Sequence, residues 1–278
     1  MTLLPQVSSG YAPVENGELY YEVAGHGHPL LLIHAGIADR RMWDDQFAAF
    51  AERFRVVRYD TRGYGMSRTE ATAFANRQDV ADLLRHLGIE RAHVIGVSRG
   101  GQIAVDFTLE CPEMVSALIP TAAGLSGYEH QPVEAEAALN RTFEEMEAAS
   151  EAKDWERLVD LEVRVWADGP GQPEGRAPAA VREKVRAMCL DNYRSQTIEP
   201  TPRPLDPPAL SRLGEITAPT LVLIGDLDEP ACVRIADKLT QGIPGARKVL
   251  FPGVAHMIPM EAPEMFNRVV LEFLDPLR

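Results

Sequence analysis

Cysteine is scarce in this chain: Cys111, Cys189 and Cys232 are the only three in 278 residues. Their odd number and wide separation exclude a disulfide framework, and no pair has the spacing of a zinc motif. Thiols so few and unpaired fit a reducing compartment, so a cytoplasmic location is expected. Long apolar runs are also missing. The longest, residues 29–38, is broken by His34 and is far shorter than the roughly 20 residues a membrane-crossing helix needs. Residues 1–11 lack the basic and apolar stretches of a secretory leader, so none is expected. Positive charge is in deficit: 28 Lys and Arg stand against 41 Asp and Glu, a formal net charge of −13. A field of that sign repels phosphate backbones and anionic lipid, which argues against nucleic-acid and membrane partners. No repeat, tail or charge block suggests a scaffold. The composition leaves a homo-oligomer open.

What is present is a 45% apolar chain long enough for one large α/β core. Residues 11–23 read as a hairpin, with Asn16-Gly17 as the favoured type I′ dipeptide. Short apolar runs at 30–33, 54–59, 92–97 and 115–119 then alternate with helical patterns at 41–53, 77–87 and 99–111. This alternation predicts a parallel, doubly wound sheet. The rhythm breaks over 129–187, which is helical with no convincing strand, and residues 201–208 hold four prolines, a stiff return segment. Strand and helix patterns resume at 220–224, 232–239, 247–251 and 263–274. The expected organisation is a core of residues 1–125 and 213–278, interrupted by a helical insertion over 126–212.

Gly96-Val97-Ser98-Arg99-Gly100 fits Gly-x-Ser-x-Gly. About 0.1 chance matches are expected in such a chain, so context carries the weight. The motif lies between a strand and a helix, where a strained turn presents a serine nucleophile at the carboxyl edge of a sheet. A serine hydroxyl needs a base. Of seven histidines, His26 and His28 lie in a glycine-rich turn, His86 and His93 flank a helix–strand connection, His130 lies in the insertion and His34 ends a strand as a brace. His256, in the loop after the last strand, remains. The base needs an acid to fix its tautomer. Asp226, Asp228 and Glu229 all follow the strand at 220–224. Asp228, three residues past Gly225, is favoured because its side chain can turn back over the sheet edge. An oxyanion hole needs two backbone donors: the N–H of Arg99, and one from the loop 34–37, for which Gly36 is favoured.

These residues together resemble the α/β-hydrolase superfamily. The likeness includes His34-Ala35-Gly36, the stretch 59–67, the serine elbow, the turn 225–228, and His256 with Glu261-Ala262-Pro263. The stretch 58–63 and Asp168-Gly169-Pro170 look similar to 3-oxoadipate enol-lactonases. The resemblance implies a mostly parallel eight-stranded sheet flanked by helices, with the insertion as a helical cap over Ser98. Trp155, Val163, Trp166, Met188 and Tyr193 are then candidates for lining the pocket. Arg99 either grips a substrate carboxylate or is a surface arginine paired with a local acid. The function implied is cleavage of a small carboxylic ester or lactone by Ser98, His256 and Asp228 through an acyl-enzyme, with no metal or organic cofactor. Serine at the elbow excludes the haloalkane dehalogenases and epoxide hydrolases of this fold, which use aspartate. A carbon–carbon bond hydrolase, a cofactor-free perhydrolase and a non-catalytic receptor of the same fold remain alternatives.

Overall fold

The computed structural model describes residues 6–129, 136–195, 198 and 200–277; His130 lies outside them. The central sheet runs β1 (Ser8–Val14), β2 (Gly17–Ala24), β4 (Arg55–Tyr59), β3 (Pro29–Ile33), β7 (Ala92–Val97), β8 (Val115–Thr121), β10 (Leu221–Gly225), β11 (Arg247–Phe251) in spatial order. That path has the expected eight strands. A ninth, the two-residue β5 (Arg68–Thr69), pairs with β2 off the path. From β4 through β11 every pairing is parallel, whereas β1 and β2 are antiparallel additions at one edge. The carboxyl ends of β3, β7, β8, β10 and β11 therefore share one rim.

Leu30, Leu31, Leu32 and Ile33 are all fully buried, so both faces of β3 are covered, as a continuous apolar run requires. Helix α1 (Asp44–Ala51) packs on α9 (Pro263–Leu274), and α2 (Asn76–His86) on α3 (Arg99–Glu110). Helix α7 (Pro230–Gly242) lies against β10 and β11. Phe266 of α9 meets the rings of Trp43, Phe50 and Phe251, joining the first and last segments of the core.

Between β8 and β10 come α4 (Ala137–Glu151), α5 (Trp155–Glu162), a π-helical turn (Val163–Asp168) and α6 (Ala179–Ser195). Part of this region has its own apolar cluster of Met146, Ala149, Leu158, Leu161 and Val165. Its two ends meet at Ser126. The Ser126 hydroxyl accepts from Ala209 N–H at 2.9 Å, and the Ser126 carbonyl accepts from Leu210 N–H at 3.1 Å.

Two local expectations shift. The hairpin turn is Glu15-Asn16, with Asn16 alone of the pair at positive φ (56°) and Gly17 already in β2. A side chain at position 17 would press on the Arg68 carbonyl at 2.7 Å, so Gly17 serves close approach rather than the turn. The return segment contains β9 (Thr201–Pro202), which pairs in parallel with β6 (Ala73–Phe74). A two-residue edge pairing leaves no periodicity to read. His93 lies within β7, as the run at 92–97 predicts, and is fully buried.

Candidate active site

The turn after β7 forces Ser98 to φ 57° and ψ −120°, a region that costs a non-glycine residue about 1–3 kcal/mol. Surrounding bonds hold it there. Ser98 N–H donates to the Thr121 carbonyl at 2.9 Å, and the Ser98 carbonyl accepts from Gln102 and Gly124 N–H, each at 3.0 Å. The flanking glycines are sterically obligatory: a Cβ at Gly96 would stand 2.1 Å from the Gly100 carbonyl oxygen, and one at Gly100 2.5 Å from those of Ile33 and His34. Ser98 thus sits at the rim of the sheet and at the N-terminus of α3.

Two strands away, the chain after β11 folds back across the end of β10. It can do so because Gly225 has no side chain: a Cβ there would lie 2.2 Å from the Val254 carbonyl oxygen. Leu227 N–H donates to that carbonyl at 3.0 Å. The crossing turns His256 inward, 2% exposed, with Nδ1 2.8 Å from Asp228 Oδ1. Since a carboxylate only accepts, Nδ1 carries the proton and Nε2 is left to accept one. Asp228 also takes the Glu229 N–H at 2.7 Å. The rival acids point elsewhere: Asp226 accepts from Gly253 N–H, and Glu229 caps α7 through Cys232 N–H. The structure joins acid to base and puts the serine on the same rim. Among the described residues, no hydrogen bond links the Ser98 hydroxyl to His256.

Gly36 lies beside the elbow: its missing Cβ would fall 3.6 Å from Arg99 Cβ. The two backbone segments offered as oxyanion donors are therefore neighbours. The Arg99 N–H, in the first turn of α3, is outside the helix's own ladder. His34 braces this loop. Its Nδ1–H donates to the Ala35 carbonyl at 2.8 Å, and Nε2 accepts from Thr61 N–H at 2.9 Å. Burial drives its pKa from 6.5 to about 4, with the Arg99 charge adding to the fall, so the imidazole stays neutral and keeps both bonds.

The Arg99 guanidinium reaches back over the Tyr64 ring, donating to Thr61 Oγ1 at 2.8 Å and Asn76 Oδ1 at 3.2 Å. It makes no ion pair with a carboxylate among the described residues, which corrects the reading of Arg99 as half of a surface pair. Arg99 also lines a cleft of about 230 Å³ with Asn76, Arg77, Gln102, Asp106 and Arg203.

Of the five insertion residues expected at a pocket, Trp166 is the one whose ring meets His256, at 4.6 Å between centroids. Trp155 and Tyr193 stack on each other at 5.2 Å, and the Tyr193 hydroxyl donates to Glu162 Oε1. Val163 and Met188 are buried in the main apolar cluster. These four side chains have packing partners that account for them.

Sequence reasoning missed the residues that steady the His256 loop. Glu261 Oε1 accepts the Ala255 N–H at 2.7 Å and pairs with Arg176. Arg176 in turn donates to the carbonyls of Ala167 and Gly253 at 2.7 and 2.8 Å. Asp168, 1% exposed, accepts from Gly175 and Ala177 N–H. Arg176 is 77 residues from Gly253, so no local pattern announces it. Glu261 appeared only within a motif, with no role.

A family model described as the alpha/beta hydrolase family matches residues 30–269. The chain belongs to that family and is a hydrolase by kinship. It is similar to a 2-hydroxy-6-oxo-6-phenylhexa-2,4-dienoate hydrolase of Comamonas testosteroni, 29% identical over 274 residues, covering 92% of this chain and 91% of the relative. Among solved structures it is similar to a thermophilic esterase from Thermogutta terrifontis, with a TM-score of 0.75 and 25% identity over 98% of this chain and 99% of that one. An enol-lactonase from Burkholderia xenovorans superposes equally well, with a TM-score of 0.75 over 96% of this chain and all of the other; at 24% identity it speaks to the fold alone.

Proposed function

We propose that this protein is a serine hydrolase that cleaves a small carboxylic ester or lactone. Ser98 Oγ attacks the substrate carbonyl while His256 Nε2 takes its proton. The backbone N–H groups of Gly36 and Arg99 stabilise the oxyanion. Asp228 holds the imidazolium. His256 then protonates the leaving oxygen and later activates water to release the acid. The Ser98–His256 hydrogen bond that this step needs forms on substrate binding, as catalytic hydrogen bonds tighten in the Michaelis complex. The observation that carries the reading is the buried 2.8 Å Asp228–His256 bond, on the same rim as a serine at φ 57°. We read residues 126–212 as a cap, with Trp166 facing the reacting centre. The working partner is a small molecule, in the cytoplasm; among the described residues no helix is long and apolar enough to cross a membrane.

A second reading, hydrolysis of a carbon–carbon bond next to a ketone, uses the same residues. It is favoured by the relative named as a dienoate hydrolase and by Arg99, a cation with no carboxylate of its own. Such a guanidinium suits an anionic substrate, with bidentate geometry if the Thr61 and Asn76 bonds are exchanged. Labelling with a fluorophosphonate, with mass spectrometry placing the adduct, is expected to find Ser98; an adduct elsewhere, or none, defeats both readings. Turnover of p-nitrophenyl esters against a vinylogous dienone then separates them. Binding of a small ligand without turnover of either would leave a receptor of this fold.

A further inference from the structure

We propose that Asp228, Cys232 and His256 form an inhibitory site for a thiophilic divalent cation of the zinc type, which binds on the acid–base pair and silences it. The effect on rate rests on the function proposed above; the binding does not. Cys232 is the third residue of α7 and Asp228 lies in the turn before it, so the helix start directs the thiol towards the carboxylate. One ligand atom from each of the three residues can be chosen so that all lie within 4.8 Å of one another, and all three side chains are buried. A tetrahedral zinc needs its ligand atoms about 3.3–3.7 Å apart, from bonds of roughly 2.0–2.3 Å. Small side-chain rotations therefore close the site.

A second observation, independent of the thiol, points to a cation. Asp228 Oδ2 and Glu229 Oε1 are buried without a hydrogen-bond partner among the described residues, and the Asp228 side chain is 0% exposed. Unpaired buried carboxylate oxygens are costly. They also set a negative potential at the buried Cys232 thiol, which favours an arriving cation. The thiol releases its proton to solvent, and one dication, one thiolate, one carboxylate and a neutral imidazole sum to zero buried charge. The imidazole nitrogen facing Asp228 is Nδ1. Metal on Nδ1 moves the ring proton to Nε2, so His256 can no longer accept the proton of Ser98.

The test uses the full chain and two readouts. Cobalt(II) added to the protein is expected to give a thiolate-to-cobalt charge-transfer absorption that zinc chloride abolishes and that Cys232→Ala and Cys232→Ser lack. Zinc is expected to inhibit p-nitrophenyl acetate hydrolysis reversibly, with recovery on adding EDTA. Cys232→Ala should keep the uninhibited rate and need about 10–100-fold more zinc for half inhibition; Cys232→Ser serves if the alanine variant does not fold. Absence of the cobalt band, a band that persists without Cys232, or equal zinc sensitivity in wild type and variants overturns the site. A cobalt band with undiminished turnover overturns its placement on the pair. A Cys232-dependent band in a protein that cleaves no substrate supports the site and counts against the hydrolase reading alone.

Discussion

Ser98 is held in a conformation that only glycine adopts freely, and the strain sets activity against stability at one residue. Ser98→Ala is expected to lower kcat by on the order of 10⁶-fold if the three groups act as a unit, with a melting temperature close to wild type. Ser98→Gly should be equally inactive yet more stable by about 1 kcal/mol, because it relieves the strain; a urea titration reads this. Asp228→Asn can keep an amide oxygen on Nδ1 but removes the negative charge that stabilises the imidazolium, and should cost up to about 10⁴-fold in kcat. Steady-state rates for the three variants would refute the assignment if any stayed near wild type. At this scale much was legible. A serine between glycines, a lone histidine after the last strand and an aspartate after a strand-ending glycine each stand in a local pattern. The unpaired state of Arg99 was not, because it depends on Thr61 and Asn76, which lie 38 and 23 residues away.

The element on which the proposed chemistry depends is the loop from β11 to α8 (Ile258–Glu261), which crosses the end of β10 and aims His256. Its crossing depends on the absence of a side chain at Gly225. Gly225→Ala is expected to cost about 1–3 kcal/mol of stability through overpacking and to lower kcat more than KM, since it displaces the base. A second brace, the Arg176–Glu261 pair, ties the insertion to this loop. A double-mutant cycle on thermal or urea stability with Arg176→Met and Glu261→Gln should give a coupling of about 0.5–3 kcal/mol; additive effects would mean that the pair does not hold the loop. Strand β7 could be read residue for residue because a fully buried strand is a continuous apolar run; β11, an edge strand largely open to solvent, and the start of α3 also fall where the sequence puts them. The β6–β9 pairing could not, since two residues carry no period.

For the whole molecule, acid stability should be set largely by histidines that stay neutral when folded. Burial lowers His34 to about 4 and His93 to about 3, the latter with help from His28 and Arg91. Below pH 6.5 the unfolded chain takes up protons that the native protein refuses. Stability that is present above that pH is therefore lost as pH falls towards 4. From pH 6.5 to 5, His34 alone should account for a loss on the order of 2 kcal/mol. Asp60 and Asp79, whose carboxyls burial pushes up, act in the opposite sense. Urea unfolding at the two pH values checks this, and His34→Gln should show a shallower dependence. A wild-type stability that does not fall over this interval would show that the buried imidazoles are not the controlling groups.

By itself the amino-acid sequence determined the class of the fold and the order of its strands along the chain, and it singled out the three residues proposed to carry the chemistry. These follow from short-range rules: apolar runs make buried strands, 3.6-residue spacing makes helices, and glycine marks turns that no side chain can enter. Only the tertiary structure decided which insertion side chain meets the base, that Arg99 has no acid beside it, and that Cys232 shares a buried corner with Asp228 and His256. Those facts depend on where residues dozens of positions apart come to rest, and that is set by the packing of many elements at once rather than by any local pattern.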